Sequence, residues 1–202
     1  MAETVIQPLF SRPLGITSID EVPNVSEIQG GFFQNANWIN GNIGDYSADL
    51  KILSRFPKTY KAIYNKVKEF NDEVMNYKDN DIQIVNSWVT RFKPGYKGNL
   101  HNHANCMYSA VLYLDEGSDL TFVDYNNQWM YDVRAKNYNQ FNTKSFTISP
   151  ERGKLLIFPG FVSHVVETNK TDKTRYSIVA NYTIRGPIGI NDTEWYIDGH
   201  AT

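Results

Sequence analysis

The sequence predicts a mainly-β, jelly-roll-like domain with one or two helices packed on it. Three observations lead there. From residue 82 onward, short apolar runs recur between clusters of Gly, Pro, Asn and Asp, the pattern of a sandwich or barrel. Aromatic residues make up 14% of the chain, which suits pleated, half-buried surfaces. Residues 58–77 instead show helical spacing.

The elements follow in chain order. Residues 1–47 carry Pro8, Pro13, Pro23 and Gly30-Gly31, turn formers that predict irregular segments wrapping the core. In 58–77, Tyr60, Ile63, Tyr64, Val67, Val74 and Met75 recur at three- and four-residue spacing, with Lys58, Lys61, Lys68 and Asp72 largely opposite. Pro57 suits the first turn, where its missing N–H costs nothing. At Ile82, Ile84, Trp88 and Phe92 the period becomes two. Further strands are expected at Met107–Leu114, Leu120–Val123, Ser145–Ile148, Lys154–Phe158, Ser163–Glu167 and Arg175–Ile184. One domain therefore spans 1–202: an N-terminal wrap and helices over 1–80, the β core over 81–185, and a tail over 186–202.

Composition excludes several function classes. Hydrophobic residues at 41% are enough to bury a core. A net charge of −2 argues against a nucleic-acid partner. No run reaches the roughly 18 apolar residues of a membrane span. The start, MAETVIQPLF, lacks the basic and apolar regions of a secretory signal. Cys106 is the one cysteine, so no intramolecular disulfide forms. A soluble, cytoplasmic protein is expected.

The chemistry concentrates in the histidines. The four are His101, His103, His164 and His200. In an extended His101-Asn-His103, both rings point to one face, which makes half a metal site. The bland alternative is a polar loop. His164 follows Gly153-Lys-Leu-Leu-Ile-Phe-Pro159-Gly, a turn, a strand and a second turn that would deliver it to the start of the next strand. In a small barrel that strand can lie opposite the first, so three imidazoles converge. Imidazole suits Fe, Zn, Cu and Ni alike. Arg175 and Ser177 share a face opposite Tyr176, and an inward guanidinium beside a hydroxyl can clamp a carboxylate. The alternative is an Arg in water, or one paired with Asp119 or Asp124.

These residues resemble the Fe(II)- and 2-oxoglutarate-dependent oxygenase superfamily, within it a branch found in marine bacteria and their phages. The resemblance runs from about Asn86 to Tyr182. It rests on Asn86-Ser-Trp88, Asn99-Leu-His101-Asn-His103, Tyr108-Ser-Ala-Val-Leu-Tyr113-Leu, Asp119-Leu-Thr-Phe-Val-Asp124, Gly153-Lys-Leu-Leu-Ile-Phe-Pro159, His164 and Arg175-Tyr-Ser177. It implies a double-stranded β-helix, with Fe(II) held by His101 and His164. It also implies that Arg175, assisted by Ser177 or Tyr113, pairs with the distal carboxylate of 2-oxoglutarate. O2 is the other cosubstrate, succinate and CO2 are released, and a C–H bond of a peptidyl or small-molecule substrate is hydroxylated. A phage-encoded chain would act in the host cytoplasm. Oligomeric state is left open.

His103 departs from the superfamily pattern, which is His-x-Asp/Glu…His. His103 can be the third ligand, giving a neutral three-His site. It can instead serve the substrate or support a ligand. It can also be the first ligand, with Asn105 two residues on, a poorer match. We favour the three-His set of His101, His103 and His164. A cupin-type metalloprotein that does not use 2-oxoglutarate is the runner-up. Gly95, five residues, His101-x-His103 and Gly153, five residues, Pro159, then His164 fit its two motifs. The expected glutamate is missing at 106–108, and Arg175 has no role there. A third reading is a non-catalytic phage-type accessory protein on the same fold.

Other features are secondary. Trp88 and Arg91 lie on the strand that enters the His pair, Trp88 more as core. Asn126–Tyr131 and Tyr138–Phe141 are candidates for a lid or a surface hairpin. Nothing near Cys106 suggests an activated nucleophile. The tail residues Trp195, Tyr196 and His200 can pack on the domain or on a partner chain.

Overall fold

A computed structural model describes residues 4–35, 43–77, 79–124 and 134–197. In chain order the elements are β1 (Gly15–Ser18), β2 (Phe33–Asn35), β3 (Asp45–Ser47), α1 (Pro57–Glu69), β4 (Asp81–Phe92), β5 (Tyr108–Tyr113) and β6 (Leu120–Val123). After them come β7 (Ser145–Ile148), β8 (Lys154–Pro159), β9 (His164–Val166), β10 (Arg175–Ile188) and β11 (Trp195–Ile197).

The strands form two antiparallel sheets. The large one has the order β1-β8-β5-β10-β4-β3-β2, with β11 added to the far end of β10; the small one is β7-β6-β9. Such crossing connections, with two sheets face to face, are those of a double-stranded β-helix. Alternation along the strands gives the large sheet two different faces. Ala110, Leu112, Leu155, Ile157, Ile178 and Ala180 point outward against Ile63, Val67 and Phe70 of the helical segment. Val111, Tyr113, Leu156, Phe158 and Val179 point inward against Leu120, Phe122, Ile148 and Val166 of the small sheet. The space between the sheets is the lumen.

Helix α1 starts at Pro57 and buries Thr59, Ile63 and Val67. Ile63 and Val67, four residues apart, are both essentially fully buried. Each contributes roughly 1.5–3 kcal/mol of apolar burial. The helix is shorter than its apolar spacing predicts. After Glu69 the chain widens into a π-type turn, Phe70–Val74, which tucks Phe70 edge-on against Tyr108 and leaves Val74 exposed. Asn71, buried in that turn, accepts the Tyr108 hydroxyl at 2.8 Å.

The strict alternation expected for Ile82, Ile84, Trp88 and Phe92 does not hold. Ile82 and Ile84 pack on the helix side, whereas Trp88 and Phe92 pack in the lumen. The register shows why. Asn181 opposes Asn86, but Tyr182 opposes Ile84, so Val85 is an extra residue in β4. This β-bulge reverses the face of everything after it. Trp88, Thr90 and Phe92 thereby face the lumen, while Ser87 and Val89 turn to the other side, where the Ser87 hydroxyl accepts Leu53 N–H.

Candidate active site

His101 and His164 are not on opposite walls, as the barrel argument expects. They are direct neighbours, joined by a two-way backbone bridge: His101 N–H to His164 O at 3.0 Å and His164 N–H to His101 O at 2.8 Å. Nor is 101–103 a regular strand. The chain leaves the bridge after His101 and turns at Ala104-Asn105, with Asn105 at φ 65°. His103 still returns to the site because its N–H donates to Gly160 O at 2.8 Å. That approach needs a glycine, since a Cβ on Gly160 would lie 2.9 Å from His103 O and closer still to Cys106. One ring nitrogen from each of the three histidines lies within 4.8 Å of the others. A shared metal needs ligand nitrogens no more than about 4.2 Å apart, so the set is nearly preformed.

All three rings are held through Nδ1. His101 Nδ1 lies 2.7 Å from Asn99 O, and His164 Nδ1 lies 3.0 Å from Val162 O. A carbonyl only accepts, so both Nδ1 atoms carry the proton and both Nε2 atoms keep a lone pair. His103 Nδ1 lies 2.8 Å from Asn181 Oδ1 and 2.8 Å from Ser109 Oγ. Burial lowers the pKa of His164 to about 3, helped by the nearby His101. Burial also lowers that of His103, against the Asn181 hydrogen bond. Both rings are therefore neutral near pH 7, as metal ligands must be. Three imidazoles of this kind could hold Fe(II), Zn(II), Cu(II) or Ni(II). Among the described residues no carboxylate joins them.

Arg175 opens β10, the central strand, and is 1% exposed. Its Nε and Nη1 are buried without a hydrogen-bond partner. The guanidinium stacks over Tyr113 at 4.8 Å and Phe92 at 5.3 Å, inside the lumen. The Tyr113 hydroxyl is also buried without a partner. Asp115 attracts the arginine but forms no salt bridge with it: its Oδ1 accepts Tyr176 N–H at 2.7 Å, and burial raises its pKa to about 6 against the pull of Tyr176 N–H and Arg175. Burial depresses the arginine pKa, opposed chiefly by Tyr113 and Asp115. A guanidinium stays charged even so, and a buried cation with unspent donors is costly. The cluster fits an anion, a carboxylate above all. Gly117 makes room for it, because a Cβ there would lie 2.8 Å from the Arg175 Cβ. Ser177 faces the same lumen but is engaged with Thr90 Oγ1 at 2.7 Å.

The remaining candidates divide. Trp88 stands beside His103, with ring centroids 5.7 Å apart. Arg91 does not line the site; the bulge turns it to the other face, where it clamps Asp45 at 2.7 and 2.9 Å and stacks on Phe33. Cys106 is a half-buried thiol whose pKa burial pushes up to about 11, so it is no nucleophile. Trp195 and Tyr196 are largely exposed on β11. Residues 126–131 and His200 lie outside the described residues. Asn181, Ser109, Gly117 and Gly160 carry no sequence motif and emerge only from the fold.

A cavity of about 520 Å³ adjoins the site. Its walls come from residues 8–14, Ile16, Phe122, Phe141, Phe146, Phe158 and Val162 among others. Phe122 and Phe158 also pack on the His164 ring, at 6.0 and 5.0 Å. Among the described residues no helix is long and apolar enough to cross a membrane.

Comparison with known proteins agrees with this geometry. A family model described as "Putative 2OG-Fe(II) oxygenase" matches residues 86–181. No curated protein matches in sequence. Among solved structures, the α-ketoglutarate-dependent epimerase SnoN from nogalamycin biosynthesis is similar, with a TM-score of 0.62 and 14% identity over 85% of this chain and 76% of its own. A Trichoplax adhaerens prolyl hydroxylase, in complex with a hypoxia inducible factor peptide fragment, gives 0.59 and 16% over 87% and 85%. A Pseudomonas putida prolyl-4-hydroxylase gives 0.58 and 14% over 87% and 95%. At such identities the likeness shows the fold, a double-stranded β-helix. The segment 86–181, which holds His101, His103, His164 and Arg175, is the part of the chain that is similar to the 2OG-Fe(II) oxygenases.

Proposed function

We propose that this protein is an Fe(II)- and 2-oxoglutarate-dependent dioxygenase that hydroxylates a C–H bond of a peptidyl or small-molecule substrate. One observation carries the reading most: the buried Arg175, with Nε and Nη1 unspent, shares a lumen with three clustered histidines, of which His101 and His164 keep a lone pair on Nε2. His101, His103 and His164 would hold the metal. Arg175 would take the distal carboxylate of 2-oxoglutarate, with the Tyr113 hydroxyl as a second donor and Ser177 beside it. Bound together, Fe(II), 2-oxoglutarate and O2 would supply the oxidising power for putting one oxygen atom into the substrate and the other into succinate, with CO2 released.

The protein's own part is placement and exclusion. The backbone bridge fixes two ligands relative to each other. Phe92, Phe122, Phe158 and Val179 line the lumen with apolar surface and keep bulk water from the reacting groups. The guanidinium has its Nε and Nη1 unspent, so an arriving carboxylate displaces no internal partner from them. The 520 Å³ cavity, whose walls include Phe122 and Phe158 packed on the His164 ring, offers room for the substrate. A cupin-type metalloprotein gains no support from Arg175, which would then be a buried cation without a task. A non-catalytic accessory role leaves the shared Nδ1 restraint of three separate rings unexplained.

The test is aerobic turnover by Fe(II)-loaded protein, with succinate as the readout. Succinate that forms in the wild type and falls about 100-fold in Arg175→Ala at low 2-oxoglutarate supports the reading. Loss of two charge-assisted hydrogen bonds sets that scale. Metal-loaded protein that makes no succinate overturns it.

A further inference from the structure

We infer that Asn181 and Ser109 are the positioning residues that make His103 a metal ligand, by jointly holding its Nδ1–H so that Nε2 carries the lone pair. The inference rests on the metal-site reading above and deepens it.

The three rings are held in two ways. His101 and His164 each use a carbonyl two residues upstream, a partner that the local turn supplies. His103 has no such local carbonyl. Its partners come from two strands, Ser109 six residues away and Asn181 seventy-eight residues away. Asn181 and Ser109 are direct cross-strand partners on the central pair β10 and β5, so they form one platform beneath the ring. Both are buried, at 8% and 0% exposure. Asn181 also sits where the β4–β10 register shifts. The bulge lies outside β10, so β10 keeps its alternation and Asn181 stays on the lumen face with Arg175 and Ser177.

The chemistry selects the tautomer. A carboxamide oxygen only accepts, and a serine hydroxyl can accept while it donates elsewhere. Two acceptors on Nδ1 place the proton there and leave Nε2 free. The family's usual carboxylate at this position would bring a negative charge. His103 brings none, and its platform brings none either, because Asn181 and Ser109 are both neutral. The platform therefore restores the geometry of a third ligand without its charge.

The test is Co(II) titration of the full-length protein, read by visible absorption and calorimetry, with circular dichroism to confirm folding. Asn181→Leu and Ser109→Ala should each weaken Co(II) binding roughly 10–100-fold, the usual cost of losing a ligand's hydrogen-bond partner. Asn181→Asp is close to isosteric and keeps the acceptor while adding charge to the imidazole. It should bind Co(II) at least as tightly as wild type and shift the visible bands, which a merely structural residue would not do. Wild-type affinity and an unshifted spectrum in all three variants would overturn the inference while the metal site stands. No Co(II) binding by the wild type would overturn both.

Discussion

The two polar ends of the lumen are built in opposite ways. At the histidine end every Nδ1 has a partner, each partner is neutral, and the nitrogens left over are bare lone pairs. At the arginine end a full positive charge is buried with Nε and Nη1 unspent. The first arrangement is stable as it stands and gains from a cation. The second is strained in energy and gains from an anion. One strand serves both, since β10 supplies Arg175 at its start and Asn181 further along the same face. A ligand with a metal-chelating group and a distant carboxylate answers both demands, and 2-oxoglutarate is such a ligand.

The comparison breaks most sharply if the two ends cannot be separated. His164→Ala should cost Fe(II) affinity roughly 100-fold or more, above what even indirect partners of a ligand command. It should leave carboxylate binding at Arg175 detectable by calorimetry. If Fe(II) affinity is unchanged, the histidine end is not a metal site.

Arg175→Met probes the other end. Replacing a buried charge that lacks a salt bridge by an apolar side chain of similar length is often neutral or stabilising. The ligand-free variant should therefore melt at or above the wild-type temperature. A ligand at 100-fold over its dissociation constant adds about 2.7 kcal/mol of stability, or roughly 5–10 °C for a chain of this size. 2-Oxoglutarate should raise the wild-type melting temperature by that much and leave Arg175→Met unmoved. Equal shifts in both would mean that the carboxylate binds elsewhere.

Acidity distinguishes the ends too. His164 has a folded-state pKa near 3, below its unfolded value near 6.5. Between those values the unfolded chain holds the proton and the folded chain does not. Stability from this group is thus complete above about pH 6.5 and is lost as pH falls towards 3, at up to about 1.4 kcal/mol per unit. Urea midpoints of metal-free protein at pH 7, 6, 5 and 4 should fall more steeply for wild type than for His164→Gln. Parallel profiles would show that His164 is not buried as a neutral ring.

The smallest effect is expected at Gly117. Its φ of 144° and the 2.8 Å approach of a Cβ to Arg175 mean that Gly117→Ala must push the arginine stem. A several-fold rise in the KM for 2-oxoglutarate, with Fe(II) affinity unchanged, would place the effect at the arginine end alone. A change in Fe(II) affinity instead would mean that the two ends are coupled.

Much of this site is legible in the sequence. His101, His103, His164 and Arg175 can be singled out from residue type, spacing and the family resemblance, although the extended 101–103 segment and the opposite-wall placement expected for the histidines do not hold. What the sequence conceals is set by single residues. Val85 looks like one more apolar strand position, yet as a bulge it moves Trp88 into the lumen and Arg91 out of it. The bridge between His101 and His164 depends on backbone pairing across 62 intervening positions, to which no side-chain pattern points. Asn181 and Ser109 read as ordinary polar strand residues, because their role exists only once β5 and β10 pair in this register. The helix ends early for a related reason: a π-type turn keeps apolar spacing while changing which side chains are buried.

The most direct test titrates anaerobic protein with Fe(II), then with 2-oxoglutarate, and follows visible absorption. The two-ended lumen predicts a weak charge-transfer band that appears only when both are present. The band should be lost in His164→Ala and need roughly 100-fold more 2-oxoglutarate in Arg175→Ala. Protein that carries Fe(II) yet shows no band at saturating 2-oxoglutarate would contradict the account.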